Sequence, residues 1–416
     1  MYIVFTGLLN LAALVFLVPA SILLVEALAA LLPPQEPAPR QEAPDAPAPR
    51  LAILIPAHDE SAQIQETVRS IAAQVPTGGR LIVIADNCSD DTAERAAAAG
   101  ATVLARHDPD RRGKGFAISF GLAHLDADPP DVVILIDADC RVSPGGIETL
   151  ARTARDSGRP IQAAYLLEAP ANPSPVAVVS ALAILLRNRV RPQGLHRLGF
   201  PCHLTGSGMA FPWRVLREAP ETGANLVEDL VMGIQLALKD QPPLSCPSVE
   251  IKSELPQGRE AGMKQRRRWE HGQLETLTRY VPRLLAAGVG RGRAGLVALG
   301  LDLMVPPLAL LVMAQGALLA ATVLAALIGI ASSTPVALSA LGLAAVATAV
   351  MIAWIVFGRR TLPLRHIVFI PFYVLWKIPL YLALLVGGRQ KKWERTARQH
   401  EEQPRPEDAP KPDATP

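Results

Sequence analysis

Charge is scarce in this chain. Only 19% of its 416 residues are Asp, Glu, Lys or Arg, against roughly 25% in soluble domains. Half are hydrophobic, and the mean hydropathy is +0.24. That shortage excludes a purely soluble protein and a disordered chain. The net charge of +3 is too small to argue for nucleic acid, and none is expected as a partner. Cysteine is scarcer still. Cys88, Cys140, Cys202 and Cys246 lie far apart with no CxxC pair. This excludes a zinc ribbon or a disulfide framework and leaves reduced thiols. The apolar excess sits at the two ends, and the middle has the composition of an ordinary enzyme domain.

Residues 1–32 carry one formal charge, Glu26. A bilayer needs roughly 20 apolar residues, so this stretch reads as a transmembrane anchor. Ala27-Leu28-Ala29 resembles a leader cleavage site, but no basic segment precedes it and the run is too long for a leader. Residues 33–50, rich in Pro and Ala, read as an extended linker. A second apolar region, 296–387, holds three candidate membrane segments: Leu301 to Ile330, Pro335 to Phe357 and His366 to Val386. The first is expected to become regular helix after Pro306-Pro307. The third carries Pro371, Lys377 and Pro379, with arginines before it and Arg389, Lys391 and Lys392 after it. Basic flanks on both sides mark both as cytoplasmic, so this segment is expected to be re-entrant or interfacial. Residues 388–416 are basic, then polar and Pro-rich, and are expected to be disordered.

The region 51–295 reads as α/β. Apolar runs at Leu51 to Pro56, Arg80 to Asp86 and Asp131 to Asp137 alternate with helix-like stretches at Ser61 to Gln74, Asp91 to Ala99 and Gly113 to Leu125. Such strands predict a parallel sheet covered on both faces. Ligands of these sheets bind beyond the carboxyl ends of the strands, where His58, Asp86, Asp137 and Asp139 all fall.

Each constellation has a chemical and a plain reading. Asp137-Ala138-Asp139 suits a shared divalent cation, or is a solvated turn. In Asp86-Asn87-Cys88-Ser89-Asp90-Asp91-Thr92, Ser89 or Asp90 is placed to cap a helix beginning near Thr92. Asp86, at the strand tip, is placed to bind a nucleobase or ribose. Gly113-Lys114-Gly115 suits an anionic ligand, with Arg111 and Arg112 equally well a solvated pair. Glu228-Asp229 opens an apolar-periodic segment to Leu238, where an acid also serves the helix dipole. A long amphipathic stretch before the second apolar region carries Gln265-Arg266-Arg267-Arg268-Trp269. There Arg266 and Arg267 suit lipid headgroups, while Arg268 and Trp269 suit a phosphate clamp and a flat face for a sugar.

Taken in order, Ile55-Pro56-Ala57-His58-Asp59-Glu60, Asp86 with Asp90-Asp91-Thr92, Asp137-Ala138-Asp139, and Glu228-Asp229 followed by Gln265-x-x-Arg268-Trp269 resemble the membrane-integrated family-2 glycosyltransferases. That group contains cellulose, hyaluronan and poly-N-acetylglucosamine synthases and ceramide glucosyltransferase. The resemblance covers about residues 51–285 and implies a GT-A domain inserted between transmembrane helices. It further implies an inverting transfer from a nucleotide-diphosphate sugar, UDP-linked, with Mg2+ or Mn2+. By the same resemblance His58, Glu60 and Asp86 frame the nucleoside, and Lys114 lies near it or the phosphates. Asp137 meets ribose and metal, Asp139 is the main metal ligand, and Asp229 is the general base. Thr205-Gly206-Ser207-Gly208 resembles the acceptor-pocket loop; Glu228, Gln265, Arg268 and Trp269 hold the acceptor sugar and the leaving diphosphate. The sequence departs from the family's pattern at His58, where an aromatic residue is common, and at Ala85-Asp86, where an Asp pair is common. The implied acceptor is a polysaccharide or lipid-linked oligosaccharide, with a membrane lipid such as ceramide or polyprenyl phosphate as the alternative. A nucleotide-binding membrane protein without catalysis is the remaining reading. The implied location is a bacterial inner membrane, multi-pass, with the catalytic domain cytoplasmic.

Overall fold

The apolar runs of the middle region form the centre of one sheet. The computed structural model describes residues 1–33, 49–170, 173–219, 228–255 and 259–363, with Arg365, Ile370, Phe372, Tyr373 and Lys377. Nearly all of the expected linker, the expected tail and most of the His366 to Val386 segment lie outside the described residues, as do the side chains of Glu228 and of residues 259–267. In chain order the strands are β1 (Leu51–Ala57), β2 (Arg80–Asp86), β3 (Thr102–Arg106), β4 (Val132–Leu135), β5 (Arg141–Val142), β6 (Ile161–Glu168), β7 (Met209–Pro212) and β8 (Leu244–Glu254). They lie in the order β3-β2-β1-β4-β7-β6-β8-β5.

β1 alternates its side chains between two buried layers. Leu51, Ile53 and Ile55 pack under Ile64, Val68 and Ile71 of one helix and Ile147 and Leu150 of another. Ala52 and Leu54 face Ala117, Leu122 and Leu125 of the helix Lys114–Leu125. Two-sided burial explains why the run is continuously apolar. The sheet is parallel over β3, β2, β1 and β4, but the wholly parallel sheet expected from the sequence is not found. β7 runs antiparallel to both β4 and β6. Four residues between glycine-containing segments carry too little periodicity to announce a strand, and only the neighbours on either side make it one. The β1–β4 pairing ends at Leu54↔Leu135, so Asp137 stands in the turn after the strand rather than at its end.

Among the described residues, three helices are long and apolar enough to cross a membrane: Tyr2–Ala29, Leu308–Leu327 and Thr334–Gly358. The second begins directly after Pro306-Pro307, as the prolines imply. Ala20, Leu23 and Ala27 of the first helix pack with Val346, Ala349 and Val350 of the third and with Leu182 and Leu185 of the helix Pro175–Leu185. Glu26, the lone charge of the first 32 residues, is buried against Arg191 (2.9 Å), whose Nη2 also donates to Asp302 Oδ1 (2.6 Å). Asp302 lies 3.3 Å from His203 Nε2. The network ties the first helix to the sheet domain and to the helix Ala294–Met304. Apolar burial alone leaves a helix free to slide, whereas a paired charge in a dry setting sets its register.

Candidate active site

Two groups of side chains gather at the carboxyl ends of the parallel strands. The first lies on β1 and β2. The Asp86 carboxylate is almost fully covered, and its Oδ1 takes Nη1 of Arg106 at 2.5 Å and Nδ2 of Asn87 at 3.0 Å. Arg106 is the register partner of Asp86 on β3, a pairing invisible until the two strands are known to be neighbours. His58 Nδ1 donates to the Asp86 carbonyl at 2.7 Å, and the Glu60 amide donates to Thr92 Oγ1 at 2.7 Å. Asp90 accepts from the Thr92 amide (3.0 Å) and the Ser61 amide (3.2 Å), which closes the loop against β1. The cap position of the helix Thr92–Ala98 is taken not by Ser89 or Asp90, as expected, but by Asp91, whose side chain makes no capping bond. Although burial opposes it, this bonding from Thr92 and Ser61 holds the Asp90 carboxyl below the usual carboxylate range.

The second group surrounds the turn after β4. Lys114 Nζ pairs with Asp137 and donates to the Gly206 carbonyl at 2.6 Å. Ser253 on β8 donates to Asp139 Oδ2 at 2.5 Å. Ligand atoms of Asp137, Asp139 and Cys140 all lie within 4.8 Å of one another. Gly206 has φ +101°, and a Cβ there would stand 3.3 Å from Asp229 Oδ2; the Asp229 carboxylate thus rests against bare backbone. Burial raises the Asp137 carboxyl above the usual carboxylate range; Lys114 opposes the rise, and Asp139 and Asp229 add to it. Three carboxylates facing one lysine leave room for a second positive charge. Hard oxygen donors of this kind suit Mg2+ or Mn2+. Burial pushes the Cys140 thiol far up, so it stays protonated and leaves the carboxylates as the ligands.

Ser207, expected to line the acceptor pocket, is fully buried beneath the turn. Its Oγ accepts from the Asp137 amide (3.0 Å) and donates to Cys140 Sγ (3.2 Å). Thr205 is held through its amide by Gln162 Oε1 at 2.8 Å, and Gln162 Nε2 also donates to the Ser207 carbonyl at 2.9 Å. Arg106, Gln162 and Ser253 are supports that the motifs do not contain. A glutamine inside the apolar β6 was the only visible signal for any of them.

Asp229 opens the helix Glu228–Leu238, and Arg268 and Trp269 lie on the 32-residue helix Arg259–Gly290. The Glu228 and Gln265 side chains fall outside the described residues. Trp269 is half-buried and packs on the cluster shared by the apolar helices. Arg187, another residue the motifs do not contain, sits in a five-residue π-helical turn, Leu186–Val190. Burial lowers its guanidinium below the ordinary arginine range, and the charge of Asp229, first among its neighbours, pulls it back.

The profile described as "Glycosyltransferase like family 2" matches residues 48–272, just over half of the chain. Glucosyl-3-phosphoglycerate synthase of Mycobacterium tuberculosis is 37% identical over 95 residues, which make up 21% of this chain and 28% of that protein. The chain therefore spans little more than a quarter of that relative's length. A mannosyltransferase from Pyrobaculum calidifontis, solved with GDP-Man and Mn2+, superposes with a TM-score of 0.50 at 17% identity, over 82% of this chain and 99% of that one. The M. tuberculosis synthase solved with Mn2+, UDP and glucosyl-3-phosphoglycerate has a TM-score of 0.36 at 22% identity, over 53% of this chain and 78% of that one.

Proposed function

Because the chain belongs to glycosyltransferase family 2, we propose that it is a membrane-bound, inverting hexosyltransferase using a nucleotide-diphosphate sugar, UDP-linked, with Mg2+ or Mn2+. One observation carries the reading. Asp137, Lys114, the Gly206 backbone and Asp229, drawn from four separate stretches of chain, converge at the turn after β4. Relatives solved with UDP or GDP-Man and a divalent ion support the donor class.

In this reading Asp137 and Asp139 hold the divalent ion. When bound, it neutralises charge on the departing diphosphate. Asp229 takes the proton of the acceptor hydroxyl as that oxygen attacks the anomeric carbon, a role contributing about 10²–10⁴-fold. One displacement with one base inverts that carbon and calls for no second carboxylate nucleophile. Lys114 turns from Asp137 towards the donor's phosphates, and Arg268 supports the same charge. His58 and Asp86, with Glu60, frame the nucleoside, and Asp86 keeps its second oxygen for it.

The acceptor is a growing polysaccharide or a lipid-linked oligosaccharide, brought against Thr205, Gly206, Glu228, Gln265 and Trp269. A second reading, transfer of a single sugar to a membrane lipid, is favoured by the aliphatic walls of a void beside Trp269. Membrane insertion is supported by uncovered apolar side chains on the long helices, such as Ile3, Leu11, Leu324 and Leu327. One span before the domain and two after it return Arg359 and Arg360 to the domain's own side. That agrees with a cytoplasmic face of a bacterial inner membrane.

The test is turnover by the full chain in lipid nanodiscs with labelled UDP- and GDP-sugars and Mn2+. Asp229→Asn is expected to lose nearly all turnover while still binding nucleotide. Wild-type activity in that variant removes Asp229 from the role.

A further inference from the structure

The helix that carries Arg268 and Trp269 continues with Glu270 and, one turn on, Gln273, both buried. Each of these polar side chains meets a different part of the apolar region. Gln273 Nε2 donates to the Val305 carbonyl at 3.2 Å, just ahead of Pro306-Pro307. Glu270 Oε1 is paired with Nζ of Lys377, which is itself buried. The second oxygen of Glu270 is covered and accepts no hydrogen bond from the described residues. Lys377 is thus the partner on which the burial of this carboxylate depends.

Lys377 comes from the segment His366 to Val386, and it is held on its other side as well. Its amide donates to the Tyr373 carbonyl at 3.2 Å, one helical turn back. Its ammonium lies 5.1 Å from the centre of the Tyr373 ring, within the range at which a ring face attracts a cation. The Tyr373 hydroxyl stands 3.2 Å from Ser180 Oγ, and the ring packs with Val179 and Ala309. Ser180 belongs to the helix Pro175–Leu185, which runs straight into the turn bearing Arg187. One short stretch of chain therefore bridges the helix of Trp269 and the helix that leads to Arg187.

Such a pair supplies direction more than stability. Two charges taken out of water repay their desolvation poorly, and apolar side chains of similar volume often hold a protein together as well. Apolar faces, however, accept more than one rotation of a helix. A covered carboxylate tolerates only the rotation that keeps its cation, because any other leaves a charge bare. Glu270 follows Trp269 and stands two places from Arg268 in the same helical turn, so a rotation that moves one moves all three.

We propose that Glu270 and Lys377 are positioning residues: their pair fixes the rotation of the helix Arg259–Gly290 and so holds Arg268 and Trp269 where donor and acceptor meet. The inference rests on the glycosyltransferase reading and adds to it a task for the segment that carries Tyr373 and Lys377.

The experiment uses the full chain in lipid nanodiscs, with Cys88, the one thiol that is not buried, changed to serine. Spin labels are placed at the exposed positions Glu275 and Phe372, and their separation is measured by pulsed dipolar spectroscopy. UDP binding, melting temperature and turnover of labelled UDP- and GDP-sugars with Mn2+ are read on the same variants. The parent chain is expected to give one narrow distance distribution. Lys377→Met is expected to broaden it and to slow turnover about tenfold or more, with UDP binding unchanged. Lys377→Arg, which keeps the charge, is expected to hold both near the parent values. The sharpest variant is Glu270→Leu with Lys377→Met, expected to melt like the parent while turning over about tenfold more slowly. Full turnover in that variant would overturn the proposal, since the pair would then serve packing alone. So would a narrow, unshifted distribution in Lys377→Met, or equal losses in Lys377→Arg and Lys377→Met. A parent chain that turns over no donor while its distances respond as expected would instead sink the glycosyltransferase reading and leave the pair as a docking contact.

Discussion

Asp86 and Arg106 show how much one side chain depends on a partner that no motif contains. Both are nearly covered, and their contact is 2.5 Å. Removing one member of a covered ion pair costs about 3–5 kcal/mol, because the other charge is left in place. Arg106→Gln is therefore expected to lower the apparent melting temperature of the full chain and to weaken UDP binding by about tenfold. An unchanged melting curve would make the pair incidental. Ser253 makes a sharper test of the carboxylate turn, since its hydroxyl bonds Asp139 and sits outside every motif. Groups that orient metal ligands alter metal affinity by about 10–100-fold. Ser253→Ala is expected to raise the Mn2+ concentration for half-maximal turnover about tenfold with little change in the rate at saturating Mn2+. A loss of rate that Mn2+ does not restore would point to a different task for this hydroxyl.

Among the elements, the segment from Thr205 to Gly208 matters most. It enters β7 from a loop held by Gln162 and carries Gly206 in a conformation side chains avoid. Placing alanine there adds backbone strain of order 1–3 kcal/mol and sets a methyl against the Asp229 carboxylate. Gly206→Ala is expected to cut turnover by about tenfold or more with UDP binding intact; equal losses of both would mean that the loop supports the whole fold. β7 also shows why this element escapes a reading by pattern. Four residues cannot display a period, and their pairing with β4 on one side and β6 on the other exists only in the folded sheet. By contrast β1, β2 and the helix Lys114–Leu125 were legible within a residue or two. Burial on both faces leaves a continuous apolar mark in the strands, and Gly113-Lys114 marks the start of the helix.

For the molecule as a whole, the question is how the sheet domain is held to the long apolar helices. Glu26, Arg191 and Asp302 join three elements, and the backbone of Gly194 packs directly on the Glu26 carbonyl. Gly194→Val is expected to loosen that seat: limited proteolysis should release the region around Tyr2–Ala29 faster than in the wild type, and equal rates would deny the contact any structural weight. The membrane reading carries its own consequence. In inverted membrane vesicles, Arg360→Cys should react with an impermeant maleimide that does not reach it in right-side-out vesicles. The opposite pattern would reverse the orientation of the catalytic domain.

Whatever depends on residues adjacent along the chain was readable from it. The apolar lengths of the helices, the parallel strands β1 and β2 and the helix at Lys114 all follow from local periodicity, because burial repeats at each element's own spacing. The acidic turn and the proposed base could be named by resemblance to a family. Their partners could not. Arg106 beside Asp86, Ser253 beside Asp139, and Ser207 beneath the turn rather than lining a pocket are contacts between residues 20 to 114 positions apart. Such contacts cost chain entropy to close, so a sequence carries no local trace of them. Only the packing of sheet against helices determines which charges are brought together, as Glu26, Arg191 and Asp302 are.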